Sequence, residues 1–309
     1  MVRSIQEKIG VSRYALPVTA VYATVVSLLS GLLSPSSWQG FACLALTTYL
    51  MVLANNYHGF IRIYSRMASC TVLFLSTVVP SILTLPDIAF MGVCTAAFIT
   101  IVFHAYQDKQ ATAIVCYAFC CIGVASLCVI QPLWLIPVFW VLMATKMQML
   151  SWHTLIASIL GTLAPYWFYG GWLLFEHGEI TSLLNHFTNL SQFNTCFQWR
   201  LIDMRLLPIV VLATMAGIIG SIHFVHTCLQ DKIRTRMIYE FLIFTSLATL
   251  LLLLLFPQHA AAFTTLLIVF VSPLFAHFSA LSKGKFGNWV FIIFLLSTLA
   301  VTFYNIYTC

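Results

Sequence analysis

Apolar stretches close to 20 residues long recur along nearly the whole chain, separated only by short polar breaks. A helix needs about 20 apolar residues to cross a hydrocarbon core about 30 Å thick. The pattern therefore reads as one membrane-spanning helix after another. Composition removes the alternative of a large soluble core. Of 309 residues, 61% are apolar and 7% charged, where a soluble domain carries roughly 25% charged residues. So few charges cannot cover a water-facing surface.

Spans are expected near 15–34, 38–54, 67–86, 88–106, 111–129, 131–147, 151–174, 206–229, 238–256, 261–281 and 289–306. The expectation is an all-α polytopic transmembrane helix bundle of about 11 spans, forming a single transmembrane domain over 1–309. The stretches 38–54 and 131–147 are short enough to be tilted, broken or re-entrant. Proline punctuates several spans, at Pro80, Pro132, Pro137, Pro165, Pro208 and Pro273, where helices can kink.

Lysine and arginine set the expected orientation. With the N-terminus inside, 12 of the 14 basic residues fall on the cytoplasmic side, and only Arg200 and Arg205 lie outside. An odd span number then puts the C-terminus outside. The first apolar stretch is longer than the core of a signal peptide and precedes no clear cleavage site, so a retained signal anchor is expected. Dense spans and short loops suit a bacterial inner (plasma) membrane, multi-pass. The net charge of +6 is spent on topology, so nucleic acid is not an expected partner.

One outer segment has appreciable length, residues 175–205. Within it Ile180, Leu183, Leu184, Phe187, Leu190 and Phe193 recur at helical spacing opposite a polar face. This pattern predicts an amphipathic helix lying in the outer interface, with Trp167, Tyr169, Trp172 and Trp199 as flanking anchors. The same loop gathers Glu176, His177, Glu179, His186, Arg200, Asp203 and Arg205. Carboxylates beside histidine supply acid–base groups, and arginine clamps phosphate or carboxylate. These residues are the candidate substrate-binding set. A solvated loop with ordinary surface charges is the competing reading, because no catalytic spacing is recognisable.

Elsewhere chemistry is sparse. Ten cysteines lie mostly inside apolar segments without paired C-x-x-C spacing, so they read as small apolar residues. His223 and His226 share a helix face and could hold a metal or haem, but no second ligand pair accompanies them. They could equally bond backbone carbonyls or sit at the interface beside Asp231. His58, His104, His153 and His277 read as interface placements, and Lys146 and Glu240 as groups that snorkel or pair with loop charges. No metal and no cofactor is expected. No phosphate loop, dinucleotide fingerprint, nucleophile elbow or zincin motif is present.

Two stretches carry a resemblance. Tyr117-Ala-Phe-Cys-Cys-Ile-Gly-Val-Ala-Ser-Leu-Cys128 onward to Lys146 is similar to a small-residue hairpin of bacterial multi-spanning envelope proteins. Ser151-Trp152-His153 and Gly161-Thr162-Leu163-Ala164-Pro165-Tyr166 resemble the helix that follows it. The family resembled is an uncharacterised bacterial family of multi-spanning inner-membrane proteins, and more loosely the polyprenol-dependent membrane glycosyltransferases. Those enzymes carry an acidic residue just after their first span. Here that loop is Leu33-Ser34-Pro35-Ser36-Ser37, so no catalytic residue carries over.

The resulting expectation is a cell-envelope membrane protein that accommodates a lipid or lipid-linked substrate, such as a polyprenyl-phosphate-linked one. The alternatives are a transporter or flippase, or a non-catalytic structural subunit partnered with another membrane protein. Whether the chain is an enzyme is left open by the residues.

Overall fold

The computed structural model describes residues 5–30, 35–79, 84–177, 181–191 and 204–308, and among them all regular structure is helical. Thirteen α-helices follow one another: α1 Ile5–Val11, α2 Ala15–Leu29, α3 Pro35–His58, α4 Met67–Ser76, α5 Pro86–Val102, α6 Thr112–Cys128, α7 Ile136–Thr145, α8 Trp152–His177, α9 Thr181–Thr188, α10 Leu207–Thr227, α11 Ile233–Leu255, α12 Ala260–Leu281 and α13 Lys285–Thr308. Among the described residues five segments are long and apolar enough to cross a membrane: Pro86–Ala105, Leu207–Gln230, Ile233–Leu255, Pro257–Leu281 and Lys285–Tyr307. These mark a membrane protein. Each of the eleven expected stretches contains a helix, though four of these apolar helices are shorter, at 10–17 residues.

The differences have local causes. The stretch 38–54 lies within one continuous helix, α3. By contrast 131–147 is broken, a 3-10 turn at Gln131–Leu135 leading into α7. Pro132 and Pro137 stand at the starts of these two pieces, where a missing N–H costs nothing. Within the span expected at 67–86, the helix ends at Ser76 and residues 77–79 leave helical structure. Pro80 disfavours helical backbone at Val79, and its ring would meet the carbonyl one turn earlier. Pro165 and Pro273 do lie inside helices, α8 and α12. The N-terminal helix α1 was not expected; it packs on α12 and α13.

Helix α12 is the axis of the bundle. It carries no Asp, Glu, Lys or Arg and from Ala260 to Ala280 is buried except at half-buried Ala261 and Thr265, with α10, α4, α11, α5 and α1 packed around it. A helix apolar all round is stable only in such surroundings. Its polar side chains bond within the structure: Thr264 donates to the Ala260 carbonyl at 2.6 Å, as buried hydroxyls must. The Gln6 amide donates to the carbonyls of Phe278 and Ser279 at 3.0 and 3.1 Å, tying α1 to the last turn of α12.

Small residues permit the tightest helix contacts, as is usual in membranes. On α6, a Cβ at Gly123 would stand 2.5 Å from the Thr162 carbonyl of α8, and one at Gly161 of α8 would overlap the Cys116 carbonyl. Phe98, Phe119, Phe139 and Phe241 then interlock across α5, α6, α7 and α11, with Phe98 and Phe139 centroids 4.6 Å apart.

The connections sort into two ends. At one, Arg62 meets Asp231, Arg234 donates to the Phe103 carbonyl, Ser151 to the Lys109 carbonyl, and Gln6 to the end of α12. At the opposite end, Trp134 donates to Leu190, Gln131 to Asn189, and Asn305 to Val78, all at backbone carbonyls. The segments that the Lys/Arg count places together thus meet. Lys146 and Glu240 pair directly with each other, about one-third exposed. Such pairs are worth about 0–1 kcal/mol, so a double-mutant cycle at Lys146 and Glu240, read by thermal unfolding in detergent, should give a coupling below about 1 kcal/mol.

Candidate functional site

The described site lies at the basic end and begins with a close approach of α10 and α12. Ala213, Ala216, Gly217 and Gly220 line one buried face of α10. A Cβ at Gly220 would stand 2.5 Å from the carbonyl carbon and oxygen of Leu274. With the helices that close, His223, one turn past Gly220, lies against His277 of α12, Nδ1 to Nδ1 at 3.3 Å.

Asp231 comes from the turn between α10 and α11. A short 3-10 turn, Cys228–Gln230, ends the α10 segment, and Asp231 follows in extended backbone with φ −96° and ψ 156°. That break turns its side chain inward. Its carboxylate is fully buried, with Oδ2 3.0 Å from His277 Nε2 and Oδ1 2.9 Å from Arg62 Nε. The arginine contact lacks hydrogen-bond alignment, so it acts as an ion pair. Arg62 also donates from Nη1 to Gln230 Oε1 at 2.9 Å. The segment carrying Arg62 leaves α3 at Gly59, whose φ of +60° is the left-handed conformation that ends helices.

Donor counting assigns the protons. An ionised Asp231 accepts from His277 Nε2–H, which leaves His277 Nδ1 as an acceptor for His223 Nδ1–H. His223 Nε2 is then the free lone pair of a carboxylate–imidazole–imidazole chain. Tyr239 closes the inner wall: its ring lies 4.9 Å from His277 and stacks on Phe224 at 4.8 Å. Its hydroxyl donates to the carbonyls of Phe60 and Pro273. The three groups are joined in line and do not converge on a point. Among the described residues no group of three or more His, Cys, Asp or Glu is arranged to hold a metal ion.

Two cavities meet at His223. One is a polar chamber of about 670 Å³ lined by Arg62, His223, Thr227, Gln230, Lys283 and Glu7 among others. The second is a groove of about 750 Å³ between α10 and α13, walled by Leu212, Ile219, Ile222, Phe286, Val290 and Ile293 among others. His223, Ser282 and Lys283 line both. An apolar groove on the flank of the bundle thus runs into a polar chamber at its end. Such a cavity can seat an amphiphile, and the histidine chain can accept or pass a proton at its polar end.

The loop residues singled out from sequence fare differently. Glu176 is exposed at the end of α8 and Arg205 exposed before α10. The side chain of His177 lies outside the described residues, as do Glu179, Arg200 and Asp203. His186, on α9, bonds the Ser126 carbonyl through Nε2 at 2.9 Å and lines a cavity of about 370 Å³ with Gln131, Asn189, Gln258 and His259. The described part of the expected amphipathic helix is the eight residues of α9 and a 3-10 turn after it.

Two histidines read as interface groups are not at the surface. His277 is fully buried on Asp231. His58 is buried too, its Nε2 and His104 Nδ1 sharing the Thr100 carbonyl at 2.9 and 2.7 Å, with Arg234 3.2 Å from its Nδ1. His223 and His226 do not pair: the first turns to His277, the second lines the groove. The Asp231–His277 contact spans 46 positions, and Arg62 had been read only for topology. The available signal was a carboxylate at a span boundary in a chain holding eight Asp and Glu in all. Comparison with protein-family models, with curated proteins and with solved structures finds no match to this chain.

Proposed function

We propose that this protein accommodates a lipid or lipid-linked substrate, taken sideways from the bilayer, with its chains in the α10–α13 groove and its polar head in the Arg62–His223–Lys283 chamber. The observation that carries the reading is the shared lining of groove and chamber by His223, Ser282 and Lys283. Basic pockets between membrane helices suit lipid head groups, and an apolar groove beside one suits acyl or prenyl chains. The proposed setting is a bacterial inner membrane, crossed about eleven times with the N-terminus inside. That orientation puts the chamber on the cytoplasmic face.

Blocking the groove tests the reading. Ile222 lines it and is more than half exposed, so Ile222→Trp fills the groove without displacing the core. Native mass spectrometry of protein extracted in mild detergent should show a stoichiometric lipid on the wild type. The Ile222→Trp variant should lose it while unfolding at the same temperature. Equal lipid retention by both proteins rules the groove out.

A further inference from the structure

Arg62 is engaged twice, to Asp231 and to Gln230, yet it lines the chamber and its side chain is one-third exposed. We propose that the head group is an anionic phosphate without a compensating ammonium, and that it draws Arg62 away from Asp231 while the Asp231–His277–His223 chain takes up one proton. This rests on the lateral-groove reading above.

The chemistry follows from charge. A guanidinium presents a fork of donors that matches phosphate oxygens, and Lys283 adds a second cation on the chamber wall. Glu7 is the carboxylate that lines the chamber among the described residues, and Asp231 holds Arg62 from behind it. Without ligand the four formal charges of Arg62, Lys283, Glu7 and Asp231 sum to zero. An entering phosphate adds a negative charge and competes with Asp231 for the Arg62 guanidinium, whose Nε now faces that carboxylate.

Asp231 would then be a fully buried carboxylate touching neutral His277, with the ring of Tyr239 beside that imidazole. A buried charge stripped of its partner is costly, and taking a proton removes the charge. His223 is the member of the chain that reaches the chamber, so the proton enters there. The charged and titratable groups facing the pair are Arg62 from the α3–α4 connection, His223 from α10 with His226 one turn on, Tyr239 from α11, Lys283 after α12 and Glu7 from α1. Atoms balance without any covalent change: one solvent proton is gained for each head group bound.

Binding that takes up a proton tightens as pH falls, by at most tenfold per pH unit for one proton. The probe is phosphatidylglycerol, a phosphodiester of fixed charge, titrated into phosphatidylcholine nanodiscs holding the full chain, between about pH 5 and pH 8. Phosphatidylglycerol should be retained over phosphatidylcholine and diacylglycerol, with affinity falling toward tenfold per pH unit as pH rises. Asp231→Asn, which frees Arg62 permanently, should bind at all pH values as tightly as the wild type does at the lowest. If that variant fails to fold, calorimetry of the wild type in two buffers of different ionisation heat counts the protons, one being expected and none overturning the exchange.

Preference for phosphatidylglycerol without pH dependence would also overturn the exchange. Equal retention of diacylglycerol overturns the phosphate and leaves the groove standing. Glycerol phosphate or inorganic phosphate binding as tightly as the lipid overturns the lipid source. Retention of no lipid at all removes the lateral-groove reading itself.

Discussion

Replacing Arg62 by leucine should destabilise the protein by about 3 kcal/mol, and adding Asp231→Asn should return more than half of that loss. The single variant leaves a carboxylate with no exposed surface facing only an imidazole. Breaking a buried pair from one side typically costs about 3–5 kcal/mol, and Arg62, one-third exposed, places this case at the lower end. The double variant removes the stranded charge while keeping its shape. Thermal or denaturant unfolding in detergent reads both. A single variant within about 0.5 kcal/mol of wild type would mean the pair behaves as a surface ion pair.

Gly220→Ala carries the second large effect. Its Cβ would meet the Leu274 carbonyl at 2.5 Å and the Phe275 amide nitrogen at 2.8 Å, both backbone atoms of α12 that cannot rotate aside. Helix α10 must move out, at a cost of about 1–3 kcal/mol, and His223 moves with it, away from His277. The matched control is Gly161→Ala, where the new Cβ meets the Cys116 backbone at the α6–α8 contact. Both variants should lose stability, but only Gly220→Ala should also lose lipid retention per folded molecule. Wild-type retention by Gly220→Ala would show that this close approach does not position the site.

Much of the fold was legible because it follows from local pattern. Every expected apolar stretch holds a helix, and the Lys/Arg distribution grouped connections that do meet, such as those carrying Arg62 and Asp231. Helix length was less legible: α4 stops at Ser76 because of the approaching Pro80, and hydropathy does not register that stop. The site was largely hidden. His277 and Asp231 each stand at the edge of an apolar run, where interface placement and inward burial look alike in sequence. What decides between them is the non-helical turn at Asp231 and the packing of α10 on α12, and neither is set within one helix. The loop set from Glu176 to Arg205 was chosen by polarity, and polarity alone does not say which side chains meet; His186, for one, turns to the Ser126 carbonyl and the Tyr166 ring.

The most direct test places a photo-crosslinking aliphatic diazirine residue, close to isoleucine in size and so too small to fill the groove, at Ile222, and separately at Leu247, an outward-facing position of α11. Both proteins are irradiated in detergent after bulk lipid has been washed away. A groove that holds its occupant predicts a one-to-one lipid adduct at position 222 and none at 247. Equal adducts at the two positions, or none at either, would contradict lateral capture of a lipid between α10 and α13.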